Sequence, residues 1–387
     1  MHLTEPRPLP AFLTMGFRPF FFAAGIWAAL AMALWLALLA GALDLGLSDP
    51  FTWHAHELVY GYVYAALAGF LLTAAPSWTK EPHMTGWPLA GLLALWLLGR
   101  LAMLASGSLP AALVAVLDLA MPALLTAEVG RMILKTRNWR NLSVLAAALV
   151  LLLGNVVFHL APEAHGMGIR LGVMGGVCLI AVVGGRIVPA FTRNWLKRQG
   201  SESLPPTETP ADYAVTAGLG AALLLWVFAP DALVTGLALL AAGIAHLWRL
   251  SRWQTAQTRA DALVWVLHAG YVFVPLGALV MSLSILAPGA FGAASAQHLW
   301  MVGAIGVTTL AVMTRATLAH SGGALKVGPA TVAVYSLAIA AALLRPLADL
   351  LPGLASLLYT GAGLAWIAAF AGFIALYGKR HLLPSGS

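Results

Sequence analysis

Trp53-His54-Ala55-His56-Glu57 stands at the head of a long apolar run. Imidazole and carboxylate are side chains that ligate transition metals and move protons. They are costly in apolar surroundings unless something engages them. Residues two apart on a helix point to nearly opposite sides, so His54 and His56 could serve two cofactors, one on each flank. Alternatively, His54 and Glu57, three apart, share a face and could bind one metal ion. The structural reading is an interfacial turn in which Glu57 only orients a histidine. The chain holds eleven histidines but one cysteine, Cys178, which excludes an intramolecular disulfide or a cysteine-built metal cluster and reads as packing.

The elements that position these groups follow from composition. Of the 387 residues 61% are hydrophobic and 9% charged, against about 25% charged in a soluble domain. This predicts an all-α polytopic membrane bundle, since a span needs about 20 mostly apolar residues. Twelve apolar segments lie near 17–43, 53–76, 86–104, 109–134, 141–160, 167–190, 210–228, 231–250, 261–286, 295–320, 328–346 and 352–378. The chain reads as one integral membrane domain, 1–387, with spans one to six over 17–198, a flexible polar linker over 199–210 and spans seven to twelve over 210–378. The polar, Pro-rich start, MHLTEPRPLP, is not that of a cleavable signal. With the N terminus inside, all of the 21 basic residues except Arg100, Arg170 and Arg345 fall on the inner side. The positive-inside rule then places both termini in the cytoplasm of an inner-membrane protein, and the excess charge implies no nucleic acid.

A repeat is superimposed on this order. Span two ends in Pro76-Ser77-Trp78-Thr79-Lys80, span six in Pro189-Ala190-Phe191-Thr192-Arg193, and span ten has Thr314-Arg315 against Gly185-Arg186 of span six. All three run from outside to inside and carry histidine at the outer mouth: His54 and His56, His165, and His298. The pattern predicts three four-helix units about a pseudo-threefold axis.

The other candidates sit on these spans. Asn155 and His159, four apart, share a face at the outer end of span five. His268, with Trp265 and Tyr271 on its side, lies about two turns inside span nine from the cytoplasmic face; a packed, hydrogen-bonded histidine is the alternative there. His298 opens span ten and His320 ends it, while His246 and Arg249 close span eight, where a snorkelling arginine is the alternative. His2, His83 and His381 read as solvated, and the fourteen tryptophans mostly as belt residues. Imidazoles at the outer ends of several spans suit haem iron or copper. Arg100, Arg170 and Arg345 could pair with haem propionates or stabilise outer loops. Asp118, placed near mid-membrane, should be protonated or paired. It and Glu57 are candidates for a proton relay. No nucleotide-binding loop or nucleophile elbow is present.

WHAHE followed by AGFLLTAAPSWT (68–79), GNVVFH (154–159), GGRIVPAFTRN (184–194), WVLHAGY (265–271) and HLWMVGAIGVTTLAVMTRATLAHSGG (298–323) together resemble the NnrS family of bacterial membrane proteins over nearly the whole chain. The family's usual closing GHTG is here Ala319-His320-Ser321-Gly322, with the histidine kept. The resemblance implies an inner-membrane protein that binds haem and copper and acts in denitrification and relief of nitric-oxide stress. A more distant likeness is to the catalytic subunit of haem-copper oxidases, with twelve spans, pseudo-threefold order, haem ligands on spans two and ten and a copper ligand on span six. His54 or His56, His298 and His165 fall in comparable places. There is no His-His pair in span seven and no HxH at span ten, which argues against an oxidase-like copper centre.

The preferred expectation is a b-type haem, with copper as a second metal, that binds or converts nitric oxide or a related small molecule. His54 or His56 would ligate it, with His298 first and His159 second as partner, and His268 would belong to a separate site with Arg186 and His320. As an enzyme it would be a haem-dependent oxidoreductase acting on a nitrogen oxide. The rival is a transporter for a metal, haem or small anion, suggested by two halves of six spans; a third reading is a structural or sensory membrane protein.

Overall fold

In lipid a backbone must satisfy its own hydrogen bonds, so apolar runs of this length fold as helices. The computed structural model describes residues 9–47, 49–161, 163 and 165–384. Among them are twelve helices long and apolar enough to cross a membrane, and no strand. They are α1 Phe17–Leu39, α2 Pro50–Thr79, α3 Gly86–Leu104, α4 Ala111–Lys135, α5 Trp139–Leu160, α6 His165–Arg198, α7 Pro210–Phe228, α8 Leu233–Ser251, α9 Ala262–Leu286, α10 Ala293–His320, α11 Pro329–Leu350 and α12 Pro352–Leu382. The protein is thus a multi-pass, all-α membrane protein, with helices where the sequence predicts spans. The loop read as a linker makes contacts with the helices beside it: Arg193 donates to the Pro205 carbonyl, Glu208 lies 3.4 Å from Arg140, and Thr209 with Asp212 forms the capping box that starts α7.

Three helices make the centre. The apolar windows of α2, α6 and α10 are 83%, 72% and 67% buried, against at most 50% in the other nine. Each of the three touches the other two. Each also departs from α geometry in one π-helical stretch, Glu57–Tyr62 in α2, Ile180–Gly184 in α6 and Leu299–Val307 in α10. The remaining helices pack around them in chain order, α3 to α5 leading into α6, α7 to α9 into α10, and α11, α12 and α1 into α2. This is the three-unit order that the repeat predicts.

Apolar burial drives little helix association in a bilayer, so close packing of small residues has to supply it. Between α5 and α6 a Cβ at Gly154 would lie 2.8 Å from the Gly172 amide, and one at Gly175 would lie 2.8 Å from the Leu151 amide. The two backbones therefore touch, and Tyr60 of α2 donates to the Gly168 carbonyl at 2.6 Å beside them. At the ring's closure Arg18 of α1 donates to the carbonyls of Arg380 and Leu383 at 3.0 and 2.7 Å, which satisfies the end of α12. That contact buries His381 among Phe17, Phe22 and Phe373, so His381 is a core residue and not a solvated tail; His2 lies outside the described residues. Many tryptophans are likewise core residues rather than belt: Trp226 and Trp300, both buried, meet edge to face at 5.4 Å.

Candidate metal centre

Asp49 caps α2 by accepting from the Phe51 amide at 2.9 Å, with Pro50 in the first helical position. The turn that follows sends its two histidines to opposite flanks. His54 stacks on Trp35 of α1, with ring centroids 4.4 Å apart and planes at 15°. It lines a cavity with His298 of α10, together with Met32, Leu58, Tyr62 and Trp366. The His54 Nδ1 is buried and has no hydrogen-bond partner. The His298 Nδ1–H donates to the Ala294 carbonyl at 2.7 Å, which fixes the ring and leaves Nε2 as its free lone pair.

On the other flank His56 enters a closed polar cluster. Its Nδ1 is 3.0 Å from Glu57 Oε1, and its Nε2 is 3.1 Å from Asn155 Oδ1 and 3.2 Å from Asp118 Oδ2. Arg100 of α3 donates through Nη1 to both Glu57 oxygens at 2.6 Å, and through Nη2 to Asp118 of α4. Asn155 and His159 of α5 reach Asp118 Oδ2 at 2.8 and 2.9 Å. His56, Glu57 and Asn155 are fully buried and Arg100 and Asp118 almost so. Gly61 makes the approach feasible, because a Cβ there would lie 2.5 Å from Arg100 Nη1 and 2.7 Å from Trp27 Nε1.

Two carboxylates and one guanidinium leave this cluster one negative charge in excess, and a buried charge requires a partner. Both His56 nitrogens face acceptor oxygens, the arrangement of a doubly protonated ring, which balances the charge. A cation could do the same, since ligand atoms of His56, Asp118 and His159 lie within 4.8 Å of one another. Two imidazoles and a carboxylate form a nitrogen–oxygen set that suits copper, zinc or non-haem iron.

Several expectations change. Glu57 does not share a site with His54; it turns to His56 and Arg100. Asp118 lies about two turns into α4, nearer the His54 end than mid-helix, and is paired. The Arg100 guanidinium meets these carboxylates where a propionate was expected. Arg170 donates to the Val227 carbonyl at 3.1 Å, and Arg345 lies over Tyr359. His165 is one ring removed from the cluster, stacked on Phe158 at 4.6 Å, and Phe158 itself touches His56. His268 is bonded through both nitrogens, to Thr192 and Thr255 at 2.8 and 2.9 Å, with Trp253 beside it in place of Trp265. Arg186, bonded to Asn141 and Ser143, and His320, against Phe17, do not join it. Arg249 is no snorkelling residue. It is buried, paired with Asp212 at 3.2 Å, and donates to Tyr271, which also meets His246. Asp212 is not among the residues that the sequence singles out, since nothing local marks a partner 37 positions away.

The family model described as NnrS protein matches residues 11–384, nearly the whole chain. The chain belongs to the NnrS family. No curated protein matches it significantly. Within this NnrS protein the two flanks of α2 are the places where buried nitrogen ligands converge from different helices.

Proposed function

We propose that this NnrS protein is a haem- and copper-binding protein of the bacterial inner membrane, with both termini cytoplasmic, that acts in the response to nitric oxide by binding or converting it. The observation that carries the reading is the divergence of His54 and His56 into two separate ligand sets. His54 and His298 face one cavity with ring nitrogens uncommitted, a donor pair that fits b-type haem iron. The space between them is about 90 Å³, less than a porphyrin fills, so seating one would need lining side chains such as Met32, Leu58 and Met301 to repack. Methionine is the side chain that repacks most readily. Bound there, haem iron would supply a coordination position for a diatomic nitrogen oxide and a route for electrons to it. The protein's part is unequal anchoring: His298 is held by Ala294, whereas His54 is held by stacking alone, so His54 is the ligand able to give way. His56 through Nε2, Asp118 and His159 would hold copper in place of the ring's second proton, Arg100 pairs with Asp118, and the remaining His56 Nδ1–H donates to Glu57. The three-unit packing of the helices gives no support to the two-halves layout behind the transporter reading.

A pyridine haemochrome assay, metal analysis and optical spectra of detergent-purified protein test this. The expected outcome is haem bound in the wild type, lost in His298→Ala, and retained with a high-spin spectrum in His54→Ala. His56→Ala and His159→Ala should lower copper content and leave the haem spectrum in place. A colourless wild type expressed with ample haem would sink the reading.

A further inference from the structure

Three cavities follow one another along the axis enclosed by α2, α6 and α10. The His54–His298 cavity is the first, and a middle one begins where its walls end. On α2 the lining passes from Tyr62 to Val63 and Ala66, on α6 from Val173 to Gly176, and on α10 from Val302 to Ile305. These are helical steps on all three helices, so the cavities are stacked. The third shares Phe21, Phe70, Ile187 and Val312 with the middle one and reaches Arg315 and His320 at the opposite end of the bundle. The volumes are about 90, 60 and 390 Å³ in that order. From His54 to Trp78 the series extends over 24 residue steps of α2, roughly 36 Å at 1.5 Å per step.

Chemistry selects what can travel there. The middle cavity is walled by hydrocarbon apart from Thr308 and Thr309. A water or ion needs two to four polar partners, and these walls do not offer them. The volume excludes a lipid chain or porphyrin and suits a molecule of two or three heavy atoms. Apolar cavities of this kind stay dry and take xenon.

One polar contact stands between the first cavity and the middle one. Thr309 lines the middle cavity and Tyr62 the first, and their oxygens are 2.5 Å apart. The Thr309 hydroxyl donates to the Ile305 carbonyl at 2.7 Å, so Tyr62 is the donor between the two. The phenol ring is held edge-on by Trp366 and Phe370, at 5.7 and 5.3 Å. The π-helical stretches of α2 and α10 end at Tyr62 and Val307, one on each side of this contact. Such stretches are rare and frequently mark functional sites.

We propose that the three cavities are a passage that brings a small, uncharged, weakly polar molecule from the opposite end of the bundle to the His54–His298 cavity, with the Tyr62–Thr309 hydrogen bond as its gate. The proposal rests on reading that cavity as the site where such a molecule binds, and deepens it by giving the route. Xenon pressurisation of wild-type crystals tests the passage without haem. Xenon in the middle cavity is expected, and its absence there overturns the proposal. Recombination of carbon monoxide after photolysis tests the route on the haem-loaded protein. Gly176→Val, whose Cβ would come within 2.5 Å of Ile305 Cδ1, should slow the bimolecular phase at least fivefold, and Tyr62→Phe should speed it severalfold. Ala66→Val narrows the same cavity if Gly176→Val does not fold. Unchanged rates in the narrowed and the opened variants overturn the proposal. Xenon uptake by a protein that binds no haem would retain the passage and remove the iron site; haem without xenon would do the reverse.

Discussion

At the scale of single residues, spacing was enough to separate His54 from His56, because two steps along a helix turn a side chain through about 200°. What spacing could not provide was the partner of each. Arg100 stands 43 positions from Glu57, and nothing local distinguishes a guanidinium bound for a propionate from one bound for a carboxylate. His268 shows the same limit: its depth marked it as functional, but Thr192 and Thr255 come from other parts of the chain and take both nitrogens. The Arg100 pairing has a direct consequence. Removing one partner of a buried ion pair strands the other charge, at a cost of about 3–5 kcal/mol. Arg100→Leu strands Glu57 and Asp118 together. It should lower the thermal unfolding midpoint in detergent steeply, and the double variant Arg100→Leu/Asp118→Asn should recover part of the loss. Equal midpoints for Arg100→Leu and wild type would show that the cluster contributes nothing to stability.

At the scale of elements, helix positions were legible because a lipid-spanning run declares itself by length and hydropathy. The π-helical stretches were not, since no residue type marks them; they became visible only as one per central helix. The start of α2 is a case where local chemistry was written in the sequence, Asp49-Pro50 being both a cap and a first-turn proline. The Thr52 hydroxyl bonds to Asp49 and, against the opposing effect of burial and with the Phe51 and Thr52 amides adding to it, holds its carboxyl below the ordinary range. A carboxyl whose folded pKa is depressed contributes stability above its unfolded value, about 3.9, and loses it as pH falls through the lower folded value. Asp49→Ala should therefore cost about 1 kcal/mol at neutral pH and progressively less below about pH 4. Paired denaturation curves of variant and wild type at pH 7 and pH 3 check this; a cost that does not shrink in acid would mean that the cap acts through something other than the ionised carboxylate. Because His54 lies on the first turns that Asp49 initiates, the same variant should also broaden any spectroscopic signature of a ligand bound at His54.

At the scale of the whole molecule, the three spans singled out by the repeat, two and six by Pro and Thr before a basic residue and ten by Thr314-Arg315, correspond to the three helices that form the buried axis. A chain threaded as three units around those helices explains why the candidate ligands at one end come from α2, α4, α5 and α10, far apart in sequence. It also ties function to orientation. His54, His56, His159, His165 and His298 lie at the end of the bundle opposite most of the basic residues, so the positive-inside rule would face the candidate metal sites away from the cytoplasm. Twelve crossings put both termini on one side, and the chain has a single cysteine, the half-buried Cys178, which makes topology directly measurable. In a Cys178→Ala background, cysteine introduced at the exposed Glu202, between α6 and α7, should react with a membrane-impermeant maleimide only from the cytoplasmic side. Cysteine at the exposed Gly353, at the start of α12, should react only from the periplasmic side. The opposite labelling would turn the bundle over, placing His54, His298 and the Arg100 cluster at the cytoplasmic face. Electrons and protons for any chemistry at those sites would then be drawn from the cytoplasm without crossing the apolar axis.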